Sequence, residues 1–242
     1  MFTLIKNAHV YAPADAGRQD ILLAGRKIAH MAPEIGALPF ECTIIDVQGA
    51  KVTTGFIDQH IHVTGGGGEG SFATRVPEIQ LSQLTTAGTT TVIGLLGTDG
   101  VTRSMENLLA KARGLEEEGI STWIYSGAYP ADSPHITGNL RSDIALIDKI
   151  IGGKVAMSDH RSSMPSTQAY AALAAEARIG GMLSGKAGVL HIHMGDGKRG
   201  LDPILEILDT TELPISVFRP THVNRNPVLY KQTIAFALQG GI

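Results

Sequence analysis

Residues 55–70, with the sequence GFIDQHIHVTGGGGEG, end an apolar segment with two histidines and continue with four glycines and a glutamate. Alternate side chains of a β-strand lie on one face, so Asp58, His60 and His62 are expected to project together. The glycines remove every side chain between that cluster and Glu69. The segment therefore predicts a strand whose end forms a site for a small bound group.

The composition is typical of a folded protein and gives no sign of a nucleic-acid or membrane partner. Of the 242 residues, 43% are hydrophobic and 18% charged, and the net charge is −3. The single cysteine, Cys42, excludes an internal disulfide and fits a reducing compartment. The N-terminus lacks a signal-peptide pattern, and the uncharged segment 79–98 is too rich in Thr, Gln and Gly to predict a membrane span. We expect a cytoplasmic protein.

Two kinds of periodicity divide the chain. Residues 1–52 contain short apolar stretches separated by Gly, Pro and Asp, which predicts a small domain of short antiparallel strands. In residues 53–242, strand and helix patterns alternate, which predicts a parallel sheet with right-handed crossovers. No GxGxxG motif follows the first of these strands, so a dinucleotide-binding fold is not favoured. We place the strands near 55–62, 89–96, 121–128, 153–159, 188–194 and 215–222, and the helices near 77–87, 103–118, 140–151, 166–179, 201–209 and 227–239.

The alternating region predicts a (β/α)8 TIM-like barrel with a small N-terminal β-sandwich appendage. About six βα units are visible, and the sequence reaches Ile242 where a seventh strand is expected. Catalytic residues of such barrels lie at the carboxyl ends of the strands. Four predicted strands carry chemically capable residues there, in HIH, KVAMSDHR, HIHMGD and THVNR.

Histidines at these strand ends predict a binuclear metal site, because imidazole is a good ligand for zinc and similar ions. His60 and His62 share one face and are expected to bind one ion. His193 and His222, from the fifth and sixth strands, are expected to bind a second ion. His191 shares a face with His193 but lies one pleat deeper, where we expect a packing role.

Lys154 on the fourth strand has two open interpretations. Two metal ions about 3.5–4 Å apart need a bridging anion. A lysine inside a barrel has its pKa lowered by desolvation, and a neutral lysine can add CO₂ to form a carbamate bridge. The alternative is a lysine that precedes the strand and extends its charge to solvent.

Several motifs together resemble the amidohydrolase superfamily, and within it the isoaspartyl (β-aspartyl) dipeptidases. The similarity extends from about residue 3 to the C-terminus. The motifs are GFIDQHIHVTGGGGE, GLLGTD, SGAY, GGKVAMSDHR, HMGD and PTHVNRN. The resemblance implies a metallo-dipeptidase in which a hydroxide that bridges the two metals hydrolyses β-aspartyl dipeptides. It also implies a homo-oligomer, an octamer in the family.

The resemblance assigns roles residue by residue. It implies two Zn²⁺ per subunit, bridged by carboxylated Lys154 and held by His60 and His62 on one side and by His193 and His222 on the other. It further implies a substrate site in which Glu69 binds the free α-ammonium, Gly67 and Thr98 contact the substrate, Tyr129 polarises the scissile carbonyl, and Arg161 and Arg225 hold the carboxylates.

One family residue has no counterpart in residues 1–242. The family places an aspartate at the end of the eighth strand as a metal ligand and general base, so we expect a C-terminally truncated chain with impaired activity. Two alternatives stay open at this point. One is a cyclic-amide hydrolase of the dihydroorotase or hydantoinase type, although Glu69 argues against it because cyclic amides lack a free amine. The other is a non-catalytic metal-binding remnant.

Overall fold

The computed structural model describes all 242 residues, which divide into two compact units, Met1–Phe56 and Ile57–Ile242. The helices include no candidate for a membrane span.

The first unit contains one five-stranded mixed sheet, which is the one layer of the predicted sandwich found within these residues. Its strands are β1 (Phe2–Tyr11), β2 (Asp15–Ala24), β3 (Lys27–Ala32), β4 (Thr43–Asp46) and β5 (Lys51–Thr53). β1 pairs antiparallel with β2, and β2 pairs antiparallel with β3, as expected. The prediction is wrong for β4 and β5, which run parallel to β1 and pair with successive parts of it. The connection 33–42 carries the chain back to the start of β1, which makes parallel pairing possible.

The second unit contains six parallel strands that form a curled half-barrel, which confirms the predicted barrel architecture. The strands lie side by side in chain order, and a helix lies in each of the five connections between them, while a sixth helix follows the last strand. Two hydrophobic clusters fill the space between the sheet and the helices, one around Ile124 and one around Ile192. The strands are β6 (Phe56–Ile61), β7 (Thr89–Gly94), β8 (Ser121–Ser126), β9 (Ile150–Met157), β10 (Val189–Met194) and β11 (Phe218–Thr221).

Local capping explains where four of the six helices begin. In each case a Ser or Asn side chain immediately before the helix accepts a hydrogen bond from a backbone N–H of the first turn. These caps are Ser104, Asn139, Ser166 and Asn226. The helices are α1 (Leu81–Thr86), α2 (Met105–Glu117), α3 (Leu140–Leu146), α4 (Thr167–Ser184), α5 (Asp202–Thr210) and α6 (Pro227–Leu238).

Three predicted helix boundaries are wrong. The helix expected to end near residue 179 continues to Ser184, because the left-handed cap comes only at Gly185. The other two are wrong because long-range pairing overrides the local pattern. The helix expected from residue 77 begins at Leu81, since Val76 N–H bonds to Gly66 O and Ile79 N–H bonds to Val63 O. The helix expected to reach residue 151 ends at Leu146, because β9 begins at Ile150 and pairs there with β8. Lys154 therefore lies inside a strand rather than before one.

Candidate metal centre and active site

Five histidines from three strand ends lie together in the half-barrel. His60 Nδ1 is 2.8 Å from His191 Nε2, and the ring centroids of His60 and His222 are 4.6 Å apart. The ring of His193 lies 4.8 Å from that of His222, and the ring of His62 lies 5.5 Å from that of His60. The structure thus brings together all four histidines predicted as metal ligands, and adds His191 to them.

Burial keeps these imidazoles neutral. Desolvation, followed by the charge of Lys154, lowers the pKa of His60, His62 and His222. The same causes lower the pKa of His191 to about 3 and that of His193 to about 4. A neutral imidazole keeps the lone pair that a metal ion needs.

Lys154 is the residue whose environment is hardest to explain by folding alone. Its side chain lies inside the half-barrel, 3% exposed, and its Nζ has no hydrogen-bond partner. Burial lowers its pKa to about 7, so the neutral amine is accessible near neutral pH. The interpretation as a lysine extending to solvent is therefore wrong.

The chemical types of these side chains suit a metal ion, although their positions in this structure do not surround a common point. No three His, Cys, Asp or Glu side chains converge on a common point. Neutral imidazoles are nevertheless donors that zinc and similar ions accept, and the unpartnered buried amine of Lys154 lies among them. Gly97 leaves space beside the His62 ring, because a Cβ at position 97 would lie 3.0 Å from His62 Cε1.

The glycine run forms one wall of a small cavity of about 50 Å³. Gly67 has φ +66°, and a Cβ there would lie 2.6 Å from Thr74 O, so the loop requires glycine at this position. The cavity is lined by four of the predicted substrate-binding residues and by one of the predicted metal-ligating histidines. Its lining includes His62, Gly67, Glu69, Thr98 and Tyr129.

Arg103 fixes this loop, and the sequence analysis missed it. The guanidinium is buried and donates to Thr64 O at 3.1 Å, Gly66 O at 3.0 Å and Val76 O at 3.1 Å, while Asp99 accepts at 3.0 Å. A lone arginine in DGVTRS carries no sequence signal for that role, because its three carbonyl partners lie on distant segments.

A charged network connects the cavity with the histidines. Arg161 Nη1 donates to both carboxylate oxygens of Glu69 at 2.9 Å, and the Thr98 hydroxyl donates to Glu69 at 2.6 Å. Arg161 also forms a two-pronged pair with the buried carboxylate of Asp159, at 2.9 and 2.8 Å. Hydrogen bonding from Arg161 holds the pKa of Asp159 well below its usual range. Asp159 Oδ2 lies 2.9 Å from His193 Nε2, so the network reaches the histidine cluster.

Tyr129 and Arg225 occupy different environments. The Tyr129 hydroxyl is 2.8 Å from His193 Nδ1, and burial raises its pKa to about 12, so it remains a proton donor. Arg225 lies 3.7 Å from Asp196, without a contact to Arg161. The carboxylate of Asp58 accepts a hydrogen bond from the His60 backbone N–H at 3.0 Å.

Two solved structures of the β-aspartyl dipeptidase from the thermophilic, keratin-degrading Fervidobacterium islandicum AW-1 are similar to this chain over its whole length. Each is 47% identical to it, with TM-scores of 0.97 and 0.96. The second is a complex with the dipeptide β-Asp-Leu. The present chain spans 66% and 63% of those two chains.

More distant proteins share the fold or a short segment. N-isopropylammelide isopropylaminohydrolase from Burkholderia multivorans ATCC 17616 has a TM-score of 0.64 at 18% identity, over 98% of this chain and 65% of its own. Dihydroorotase from Syntrophus aciditrophicus (strain SB) is 34% identical over 65 residues, 26% of this chain and 15% of the relative. No family model matches the chain. Over its whole length the chain is therefore similar to β-aspartyl dipeptidases, of which it spans just under two thirds.

Proposed function

We propose that this chain forms the metal site and most of the substrate site of a hydrolase for β-aspartyl dipeptides. The observation that carries the proposal is the unpartnered, buried Lys154 amine beside four neutral histidines. The relative with β-Asp-Leu bound supports the substrate class. Zinc is the metal that this donor set favours.

The metal ligands would be His60 and His62 for one ion and His193 and His222 for the other, with carboxylated Lys154 between them. Zinc held there would lower the pKa of water and polarise the substrate carbonyl. Both ring nitrogens of His193 have partners in this structure, Nε2 with Asp159 and Nδ1 with Tyr129, so one of these two contacts would have to give way to a metal ion while the other holds the ring.

Three residues of the chain would act on the substrate itself. Because the pKa of Tyr129 is raised to about 12, its hydroxyl keeps its proton and can donate to the oxyanion that develops on the scissile carbonyl. Glu69 would bind the α-ammonium, which would take the place that the Arg161 guanidinium holds in this structure. Arg161 would then be released to pair with a substrate carboxylate.

Hydrolysis of cyclic amides is the alternative, and the similarity to a dihydroorotase extends over only 65 residues. The two candidates differ in their need for Glu69. A cyclic amide has no free ammonium, so Glu69 would have no ligand group to bind. The position of this carboxylate on the wall of the cavity favours the dipeptide.

A substrate comparison on the purified 242-residue chain tests the proposal. With zinc supplied and counted, we expect hydrolysis of β-Asp-Leu, slowed because the family's eighth-strand aspartate has no counterpart in residues 1–242, and no hydrolysis of α-Asp-Leu or dihydroorotate. Glu69→Gln should raise KM for β-Asp-Leu at least about 10-fold, because a charged partner of the ammonium is lost. The exposed Glu34→Gln is the matched control and should leave KM unchanged.

Other outcomes would identify another function. Turnover of dihydroorotate alone would establish the cyclic-amide candidate. Zinc bound without turnover of any of these substrates would mean that residues 1–242 hold the metal but lack a group required for catalysis. A homo-oligomeric assembly and a cytoplasmic location also stay predictions, testable by light scattering and by cell fractionation.

A further inference from the structure

His191 lies directly beneath the predicted metal ligands. On the parallel ladder it pairs with Lys154 of β9 and with Arg219 of β11, one level below His193. Its side chain is buried, 5% exposed. Its position beside the bridging lysine therefore places it in the layer that supports the metal site.

Two contacts fix the ring of His191. Its face stacks on the ring of the buried Tyr125, with centroids 4.7 Å apart and planes 10° from parallel. Its Nε2 lies 2.8 Å from Nδ1 of His60. The stack sets the plane of the imidazole, and the hydrogen bond ties it to a predicted metal ligand.

This hydrogen bond determines which nitrogen of His60 is free. A neutral imidazole has one N–H donor and one lone pair. If His60 binds a metal through Nε2, its proton must be on Nδ1, where only an acceptor can satisfy it. His191 Nε2 is placed to be that acceptor.

The second histidine of the pair is held in the same way. His62 Nδ1 lies 3.2 Å from the carbonyl oxygen of Leu95, which can only accept. His62 therefore also carries its proton on Nδ1 and offers Nε2. Two neighbouring histidines thus present the same nitrogen, one held by a backbone carbonyl and the other by His191.

We propose that His191 is a positioning residue that orients His60 and fixes its tautomer for binding of the first metal ion. The proposal rests on the metal site described under Proposed function. It corrects the expectation that His191 has a packing role alone. The packing contact with Tyr125 serves to hold the acceptor in place.

Two substitutions separate hydrogen bonding from packing. His191→Phe keeps a ring that can stack on Tyr125 but removes the acceptor. His191→Gln loses the ring but keeps an amide oxygen near the position of Nε2. The exposed His30→Gln on β3 controls for the loss of any histidine.

Zinc affinity of the full chain, measured by competition with a chromophoric chelator, is the readout. Loss of an outer-shell partner typically weakens metal binding about 10- to 100-fold. We expect this loss in His191→Phe, substantial rescue in His191→Gln, and wild-type affinity in His30→Gln. The Co²⁺-substituted protein should show an altered d–d spectrum in His191→Phe alone.

Each contrary result has a separate meaning. Wild-type zinc affinity in His191→Phe would overturn the positioning role while leaving the metal site intact. An equal loss in His191→Phe and His191→Gln would also overturn it, because the acceptor would then make no difference. A wild-type chain that binds no zinc would overturn the proposed function itself.

Discussion

Lys149 and Lys154 are both buried lysines of the β9 region, yet their surroundings differ completely. Lys149 stands just before the strand, 7% exposed, and its Nζ donates to Glu116 and, at 3.2 Å, to the carbonyl of Thr122. It also lies over the ring of Trp123. Lys154, inside the strand, has no hydrogen-bond partner. The Lys149 amine therefore has hydrogen-bond partners, whereas the Lys154 amine has none.

The difference follows the two ends of a parallel barrel. The amino-terminal face of such a barrel serves stability, and the carboxyl-terminal face carries function. A buried amine without a partner costs free energy, so its persistence calls for a functional explanation. We therefore assign Lys149 to the scaffold, and the proposed role of Lys154 in the metal site accounts for its unpartnered amine.

Replacement of Lys154 should have the largest effect. Lys154→Met removes the bridging group, so we expect loss of bound zinc and a fall of at least about 10³-fold in kcat/KM for β-Asp-Leu. Metal content by atomic absorption and steady-state kinetics measure this. Lys149→Met is the matched control and should retain zinc. Full zinc content in Lys154→Met would remove the distinction between the two lysines.

The second-largest effect should be the contribution of Lys154 to the pH dependence of the free energy of unfolding. Burial lowers its pKa from 10.5 to about 7, so between these values the unfolded chain binds more protons than the folded chain. The free energy of unfolding of the metal-free chain should therefore rise with pH, by about 1.4 kcal/mol per pH unit. Urea unfolding of wild type and Lys154→Met isolates this contribution. A pH-independent difference between the two proteins would contradict it.

Asp143 at the start of α3 extends the comparison to a buried acid. Burial raises its pKa, but hydrogen bonds from His135, Ser126 and Thr137 outweigh burial and lower it to about 2. The Ser126 hydroxyl donates to it at 2.5 Å, and the Thr137 backbone and hydroxyl both donate at 2.7 Å. This is a charge satisfied entirely by the scaffold.

Asp143→Asn should consequently destabilise the fold without changing zinc affinity. We expect a loss of about 3 kcal/mol, since an amide group would face donors that a carboxylate accepts. The stability due to the lowered pKa is present above about pH 4 and is lost as the pH falls towards 2. Chemical unfolding at neutral and acidic pH measures both effects. An unchanged unfolding midpoint would show that the hydrogen bonds to Asp143 contribute nothing net.

Lys149→Met should have the smallest effect. Methionine fills much of the same volume, and the partner Glu116 can turn to solvent. The main cost is the Thr122 carbonyl left without a donor, about 1–2 kcal/mol. Thermal unfolding measures it. A loss as large as that of Asp143→Asn would mean that Lys149 contributes more to the fold than its contacts indicate.

The sequence by itself determined the features that depend on near neighbours in the chain. The alternation of apolar patterns located all six strands of the half-barrel and placed the starts of α2, α3, α4 and α6 within about two residues of where they lie. The HIH motif likewise located two of the clustered histidines, because alternate residues of a strand share a face. Such patterns involve only neighbouring residues, so they can be recognised without knowledge of the fold.

Only the tertiary structure decided the features that depend on contacts between distant segments. The late start of α1, the carbonyls bound by Arg103 and the contact between His191 and His60 all join residues far apart in sequence. The same holds for Lys154, whose lack of a partner is a property of the half-barrel interior and not of its neighbours in GGKVAM. Short-range patterns carry no information on which strand lies opposite, because pairing is selected by packing of the whole sheet.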